Sequence, residues 1–305
     1  AQFYPMVATY RNHKWNKEDY RFRGETYHTA FSDFKVSYDI PEEYTFVSSS
    51  EVDGEPGNST GTFEIENVKD IYIAILKDPM VIQKQTEDIT IRVFGFEDKA
   101  DLYREISEVA ADALAYFQEN IGPYPFAQLD IVIDSLGMEY PGIVTAYSIY
   151  DSGPVSPDFL NLLVVHEVAH QWFYGVISDD PYHNGWLDEG MSTFAASLYQ
   201  YSSTGEEVNY KLINQLIEQL DPMPVNLPIS QYGNNMSSYI YGKPSTMLWN
   251  LFEERGGIEG AEKFLKSYYE YYQYKEVDSE EFVRFAKYHF DLEDNEVFED
   301  WLLLK

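Results

Sequence analysis

Cysteine is absent from this 305-residue sequence. Without thiols the chain forms neither disulfides nor cysteine-ligated metal sites, and its redox compartment stays open. Basic residues are scarce as well: 21 Lys and Arg stand against 52 Asp and Glu, which gives a formal net charge of −31 at pH 7. Nucleic acids and anionic membranes attract basic surfaces, so neither is an expected partner. No apolar run approaches the roughly 20 residues of a membrane-spanning helix, so we expect no membrane segment in this chain.

The residues that are abundant predict a globular protein. Hydrophobic residues make up 44% of the sequence and aromatic residues 17%, which is ample material for a core. Up to residue 96, short runs alternate apolar and polar residues, as in residues 34–40. Turn-forming residues separate these runs, as in residues 53–58. This pattern is typical of β-strands, so we predict an all-β domain at residues 1–96.

The pattern changes to helical spacing near residue 97. Apolar residues recur at helical intervals from residue 100 to residue 120, and a short β-branched strand follows at residues 129–133. Further helices are predicted at residues 157–174, 187–203, 206–220, 244–255, 258–273, 278–290 and 295–303. We therefore expect an α+β fold in which residues 97–305 form a second domain that is mostly helical after residue 150.

One predicted helix carries the pattern His-Glu-x-x-His. His166 and His170 are four residues apart, so both imidazoles lie on one helix face and can approach a single ion. Glu167 lies beside them around the helix, close to the ion without being a ligand. A lone histidine in such a helix is usually a packed core residue. Two imidazoles and a carboxylate inside an apolar helix are costly unless a cation compensates them, so we predict one Zn²⁺ ion here.

A catalytic zinc ion needs a third protein ligand. The metzincin pattern would place a Gly and a His three and six residues after His170, but Phe173 and Val176 occupy those positions. Cysteine is absent, so a carboxylate on a following helix remains. Glu189 follows His170 after 18 intervening residues, which is room for one helix to end and a second to return. Asp188 is the competing ligand, and its alternative role is a hydrogen bond to a ligand imidazole or contact with solvent.

These residues carry a family resemblance. The His-Glu-x-x-His pattern, 18 residues and a glutamate within Trp-Leu-Asp-Glu-Gly together resemble the gluzincin aminopeptidases related to aminopeptidase N and the leukotriene hydrolases. The match extends through Gln171 and Trp172. Residues 137–140, Gly-Met-Glu-Tyr, resemble the family's Gly-x-Met-Glu-Asn motif, with Leu136 in place of its first Gly and Tyr140 in place of Asn. Residues 241–244, Tyr-Gly-Lys-Pro, resemble its Tyr-x-Lys-Gly segment, with Pro in place of Gly.

The resemblance implies a fold and a cofactor. It implies that residues 1–96 are part of a β-rich saddle domain and that residues 97–305 form a thermolysin-like zinc peptidase domain. It also implies that further domains belong to the same polypeptide. In this family one zinc ion would be held by His166, His170 and Glu189.

The resemblance also implies an activity, which is removal of the amino-terminal residue from a peptide with a free amino terminus. Glu167 would act as general base, and the Tyr241 hydroxyl would stabilise the developing oxyanion. Glu139 would bind the free α-ammonium group, and the backbone at Gly137 and Met138 would pair with substrate. The family adds a second amine-binding Glu or Gln, for which Gln2 is the one candidate.

Two other functions are alternatives to an aminopeptidase. An endopeptidase would result if amine recognition were too weak, and a non-catalytic zinc-fold module could bind peptides without cleaving them. The presence of both Glu167 and Tyr241 argues against the second. The acidic residues 291–296 do not fit a calcium loop of the EF-hand type, because Glu296 stands where that loop needs glycine. We expect His183 to be a surface residue.

Overall fold

The long strands and one helix occupy the first half of the chain, and helices follow in the second half. The computed structural model describes residues 3–11, 13–21, 25–51, 58–96, 99–134, 137–146 and 157–304, with the backbone alone for 157–161. The strands are β1 (Tyr10–Arg11), β2 (Lys14–Trp15), β3 (Ser32–Asp39), β4 (Tyr44–Ser48), β5 (Thr60–Val68), β6 (Ile73–Lys77), β7 (Met80–Gln85), β8 (Thr90–Gly95), β9 (Gln128–Ile133), β10 (Met138–Tyr140) and β11 (Ile143–Ala146).

The α-helices all follow β8. They are α1 (Ala100–Asn120), α2 (Pro157–Ala169), α3 (Met191–Thr204), α4 (Tyr210–Ile217), α5 (Lys243–Glu253), α6 (Gly257–Tyr272), α7 (Ser279–Phe290) and α8 (Glu296–Glu299). Two π-helical turns, Trp186–Gly190 and Ser238–Gly242, precede α3 and α5. The predicted α+β class is confirmed. Within the described residues, no helix is long and apolar enough to span a membrane.

The strands that sequence reasoning missed are β1, β2, β7, β10 and β11. Strand β10 has three residues, which is too short for an alternating pattern to be recognised. All four residues of β11 are buried, so it shows no alternation at all. Both strands flank the turn that follows Glu139, and they therefore determine where that candidate site residue lies.

The strands from β7 to β11 form a five-stranded sheet of order β10-β11-β9-β8-β7. Strands β8, β9 and β11 are mutually parallel neighbours, and the two outer pairings are antiparallel. Helix α1 connects β8 to β9, as a parallel pair requires. Arg92 of β8 faces Asp130 of β9 in register. The two side chains form a bidentate ion pair at 2.7 and 2.6 Å, with Asp130 fully buried.

One face of this sheet is closed by an apolar cluster. The cluster combines residues of the sheet with residues of β4 and β6: Val47, Ala74, Leu76, Phe94, Val132, Tyr140 and Ile143, with Met138 packed against it. Side chains alternate between the two faces of a strand. Because Met138 and Tyr140 contact this cluster, Glu139 projects from the opposite face, together with its cross-strand neighbour Val144.

The chain divides into two compact units. The first unit comprises Ala1–Val7, Thr29–Tyr116 and Pro123–Gln171, and the second comprises Ala8–His28, Phe117–Gly122 and Trp172–Lys305. The predicted domain boundary near residue 97 falls on residues 97 and 98, which lie outside the described residues, so it stays a prediction.

Ion pairs hold the amino-terminal segment of the second unit to its carboxy-terminal part. Arg11 pairs with Glu276 at 2.5 Å and with Asp278 at 2.8 Å. The buried ring of His28 also contacts Glu276, at 3.0 Å. Residues 8–28 are therefore part of the helical unit in space, although they precede all of the long strands in sequence.

Aromatic side chains form much of the second unit's core. Trp301 is 1% exposed and packs edge-on against Trp186 at 5.1 Å between ring centroids. On α6, the rings of Tyr268, Tyr269 and Tyr272 are buried as well. The tyrosine-rich stretch of α6 is thus largely core.

Candidate active site

The residues singled out from the sequence fall in both units. Those of the first unit are Gly137, Met138, Glu139, His166, Glu167 and His170, and those of the second are Asp188, Glu189 and Tyr241. Each group is described within its own unit below. Gln2 and Leu136 lie outside the described residues.

The two histidines converge at the end of α2. The backbone N–H of His170 donates to the carbonyl of His166 at 3.3 Å, so the helical turn persists through His170. The two Nε2 atoms lie 3.0 Å apart, and the rings are perpendicular. Two nitrogens that ligate one tetrahedral zinc ion at 2.0–2.1 Å would lie about 3.4 Å apart. The pair therefore fits a shared divalent ion, and the i, i+4 spacing predicted it.

Glu167 has its carboxylate against the backbone of residue 137. The side chain is 5% exposed. A Cβ atom on Gly137 would overlap Oε1 of Glu167 and lie 3.0 Å from its Cδ. The segment before β10 and the His-Glu-x-x-His helix thus approach so closely that only glycine fits between them. Sequence reasoning assigned Gly137 a role in pairing with substrate, and the structure gives a second reason for this glycine.

Glu139 lies at the edge of the five-stranded sheet, because β10 is its outer strand. The glutamate is 6% exposed, and α2 packs against β10 and β11. Its neighbour Tyr140 stacks on Tyr72 at 4.8 Å between ring centroids, within the apolar cluster. The side chain of Tyr140, which stands where the family motif has Asn, thus lies on the sheet face opposite Glu139.

Gln171, which sequence reasoning used only as part of a motif, connects α2 to the β10–β11 turn. Its side chain is 1% exposed. Its Oε1 accepts a hydrogen bond from the backbone N–H of Gly142 at 2.9 Å, and its Nε2 donates to the carbonyl of Tyr140 at 3.0 Å. Both partners are backbone groups about thirty residues away, so no side-chain motif signals them.

Glu189 and Asp188 lie in the π-helical turn Trp186–Gly190, where an ordinary helix was predicted from residue 187. The indole of Trp186 anchors this turn by donating to Ser279 Oγ at 2.8 Å. That hydroxyl in turn donates to Asn184 Oδ1 at 2.7 Å. Such π-helical turns are rare and frequently occur at functional sites.

Tyr241 lies in the second π-helical turn and contacts Glu189 directly. Its hydroxyl donates to Glu189 Oε1 at 2.5 Å. The two turns pack tightly, because a Cβ on Gly190 would lie 2.6 Å from Cγ of Pro244 and 3.0 Å from the carbonyl of Ile240. Pro244, which replaces a glycine of the family motif, therefore packs on the glycine that follows Glu189. Two predicted site residues are thus brought together within the second unit.

Lys243 follows Tyr241 closely in sequence but is 4% exposed. Its Nζ donates to the carbonyl of Met223 at 2.6 Å. Burial lowers the pKa of this lysine, and the nearby charge of Asp300 opposes that effect. Lys243 therefore fastens the start of α5 to the loop at Met223.

A second acid lies close to Asp188. Carboxylate oxygens of Glu25 and Asp188 lie within 4.8 Å of each other in the second unit. Two carboxylates this close repel unless a cation or a proton lies with them. Sequence reasoning missed Glu25, since it is more than 160 positions from Asp188 and belongs to no motif.

His183 is half-buried and paired, whereas the sequence predicted a surface residue. Its Nδ1 contacts Asp180 Oδ2 at 2.8 Å, and its Nε2 lies 3.5 Å from Glu18. The hydrogen bond with Asp180 raises the pKa of His183, burial partly offsets it, and the charges of Asp180 and Glu18 add to it. Burial alone would raise the pKa of Asp180, but the hydrogen bond and charge of His183 lower it overall.

Comparison with known proteins identifies the family of this chain. The Peptidase family M1 domain matches residues 106–301, which is more than half of the chain. Leukotriene A-4 hydrolase of Xenopus laevis is 24% identical over 208 residues, covering 62% of this chain and 34% of that protein. Aminopeptidase M1 of Arabidopsis thaliana is 23% identical over 278 residues, covering 81% and 31%. The chain thus spans about a third of the length of these curated relatives.

The fold is similar to that of solved structures. One is a variant of an M1 zinc metallopeptidase from Deinococcus radiodurans bound to a Tyr-Ser-Ala substrate. It superposes with a TM-score of 0.66 at 18% sequence identity, covering 92% of this chain and 66% of that one. At this identity the likeness establishes the fold.

Proposed function

Because this chain belongs to peptidase family M1, we propose that it is the zinc-binding catalytic part of an aminopeptidase that removes amino-terminal residues from peptides. The observation that carries the proposal is the pair of facing imidazoles, His166 and His170, with the buried carboxylate of Glu167 between them in sequence. The Deinococcus radiodurans relative was crystallised with a peptide substrate, which supports peptides as the substrate class.

The proposed domain arrangement follows the family. Residues 97–305 would form the thermolysin-like catalytic domain, and residues 1–96 would be part of the preceding saddle domain. Helix α1 and the helices after residue 157 support the first assignment. The absence of any helix among the described residues up to 96 supports the second.

The proposed zinc ligands are His166, His170 and Glu189. Two imidazoles and one carboxylate form a donor set typical of catalytic zinc, which keeps one position open. The spacing of the Nε2 atoms supports the histidines. The hydrogen bond from Tyr241 supports Glu189, because ligating carboxylates are themselves usually hydrogen-bonded. When bound, zinc would act as a Lewis acid and lower the pKa of water toward about 7.

The proposed chemistry of the side chains follows from their protonation states. Glu167, as general base, would take a proton at its carboxylate from the attacking water and later return it to the leaving amine. The Gly137 backbone supports this role because it limits the positions open to the Glu167 carboxylate. The Tyr241 hydroxyl would turn from Glu189 to donate to the developing oxyanion of the scissile carbonyl.

Recognition of the amino terminus is proposed for Glu139. A buried carboxylate favours an ammonium group that lies against it, because each charge compensates the other's loss of hydration. The outer position of β10 supports pairing of the Gly137–Met138 backbone with an extended substrate.

The test combines metal analysis with a panel of amino-acyl amides, each offered with a free and with an acetylated amine. We expect one zinc ion per chain, hydrolysis of the free-amine substrates and little hydrolysis of the acetylated ones. The variant Glu167→Gln should keep zinc and lose about 10²–10⁴-fold in turnover. Glu66→Gln, at an exposed position of β5, is the matched control.

The outcomes separate the alternatives. Equal hydrolysis of free and acetylated substrates would indicate an endopeptidase. Zinc and peptide binding without turnover in the unsubstituted protein would indicate a non-catalytic module. A purified protein that takes up no zinc would overturn the proposal.

A further inference from the structure

We propose that Gln171 is a positioning residue that sets the placement of Glu139 relative to the His-Glu-x-x-His helix, and thereby the selectivity for a free amino terminus. The inference rests on the proposed function, in which Glu139 binds the ammonium group. It starts from one contact: the carboxamide of Gln171 binds the backbone of the β10–β11 turn on both sides, at Tyr140 and at Gly142.

A carboxamide satisfies both partners, because it offers a donor and an acceptor. The carbonyl of Tyr140 accepts from Nε2 at 3.0 Å, and the N–H of Gly142 donates to Oε1 at 2.9 Å. A carboxylate accepts but does not donate, and a thioether offers no donor either. Because Gln171 is 1% exposed, water cannot readily replace a lost partner. Losing a hydrogen bond at a buried backbone group is costly, so the two contacts together hold the turn to the end of α2.

The β10–β11 turn is also held by the sheet, on the side away from Gln171. Gly142 has a φ of +72°, as the third residue of a tight Pro-Gly turn requires. Its carbonyl accepts from the backbone N–H of Asp130 on β9 at 3.0 Å. The sheet thus fixes one side of the turn, and Gln171 fixes the side that belongs to the helix.

The hydrogen bonds of Gln171 matter because they join two segments that carry proposed site residues. Gln171 directly follows His170, and Glu139 directly precedes Tyr140. The distance from the proposed reacting centre to the proposed ammonium anchor therefore depends on how the turn is held to the end of α2. Misplacement of a binding group by about 1 Å can cost on the order of 100-fold in rate.

The variants Gln171→Met and Gln171→Glu test the proposal. The first removes both hydrogen bonds at nearly constant volume, and the second keeps an acceptor but removes the donor. We expect KM for free-amine substrates to rise about tenfold or more, with acetylated substrates little affected and zinc content unchanged. The preference for free over acetylated amines should fall in both variants. Gln83→Met and Gln83→Glu, at an exposed position of β7, are matched controls.

A second measurement does not depend on activity. Hydrogen exchange of the Gly142 amide should be slow in the unsubstituted protein and faster by at least tenfold in Gln171→Met. Unchanged exchange, or an unchanged preference for free amines in variants that fold, overturns the proposal. If Gln171→Met fails to fold, Gln171→Glu decides; if neither folds, Gln171 is a stability element and the positioning role is rejected.

The design separates this inference from the function on which it rests. If the unsubstituted protein lacks zinc or ignores the free amine, the proposed function fails first. If the unsubstituted protein prefers free amines and the Gln171 variants share that preference, the proposed function survives and only the positioning role fails.

Discussion

The hydroxyl of Tyr241 donates a hydrogen bond to Oε1 of Glu189 at a distance of 2.5 Å, although 52 positions separate the two residues in sequence. Each residue lies in a π-helical turn, and the two turns pack through Gly190 and Pro244. The proposed oxyanion donor is therefore held by the proposed zinc ligand. This arrangement makes the roles of the two side chains separable by substitution.

Tyr241→Phe removes the hydroxyl and keeps the ring. We expect turnover to fall about 10²–10³-fold, because one donor to the developing oxyanion is lost. Zinc content, measured by metal analysis, should not change. Tyr288→Phe is the control, since that ring is 88% exposed. Unchanged turnover would remove the oxyanion role, and loss of zinc would mean that Tyr241 serves mainly to orient Glu189.

Gly137→Ala adds a methyl group where Glu167 Oε1 lies. Either the carboxylate or the segment before β10 must move, so we expect a fall in kcat of at least tenfold with zinc retained. Gly242→Ala adds the same methyl group where no atom lies within 4 Å, and its backbone is helical, so it is the control. Steady-state kinetics that show equal kcat for both variants would contradict the close approach.

Glu189→Gln and Asp188→Asn distinguish the proposed third zinc ligand from its competitor. Both changes remove a charge and keep the shape of the side chain. We expect Glu189→Gln to lose zinc on dialysis, because a neutral carboxamide is a poor ligand for this ion. Asp188→Asn should retain zinc. The reverse result, measured as zinc per chain, would make Asp188 the ligand.

His183→Gln tests the contact with Asp180 through its pH dependence. The pKa of His183 is raised in the folded protein above its ordinary value of 6.5. Its contribution to stability is therefore complete below about pH 6.5 and is lost as the pH rises through the raised pKa. The pKa of Asp180 is lowered, so this carboxylate stays charged throughout that range.

The measurement is Tm as a function of pH for both proteins. We expect the unsubstituted protein to exceed His183→Gln most clearly near pH 6, with the difference shrinking toward about pH 9. His13→Gln, at an exposed position, is the control for loss of an imidazole. A Tm difference that grows with pH would contradict the predicted direction.

Local patterns predicted much of the fold and part of the site. The alternating runs became β3 to β6 and β8, and the helical spacing became α1 to α3 and α5 to α7. The histidine pair also follows from local geometry, because residues four apart meet on any helix. Strands β10 and β11 were missed, since a three-residue strand and a fully buried one carry no periodic signal.

Contacts between distant backbone groups could not be predicted. Gln171 binds carbonyl and amide groups of the β10–β11 turn, and backbone groups look alike in every sequence. Gly137 is needed because Glu167 lies against it, and that proximity exists only after folding. The closeness of Glu25 and Asp188 has the same origin.

The sequence alone determined the chemical inventory of this protein: a pair of imidazoles one helical turn apart, an acid beside them, and an excess of negative charge without any thiol. It could do so because helix geometry relates near neighbours in the chain in a fixed way. Tertiary structure alone decided which glycine makes room for the acid, which tyrosine among 27 meets Glu189, and which amide holds the edge strand. Those relations depend on packing between segments that the chain brings together from far apart, and no local rule encodes such distances.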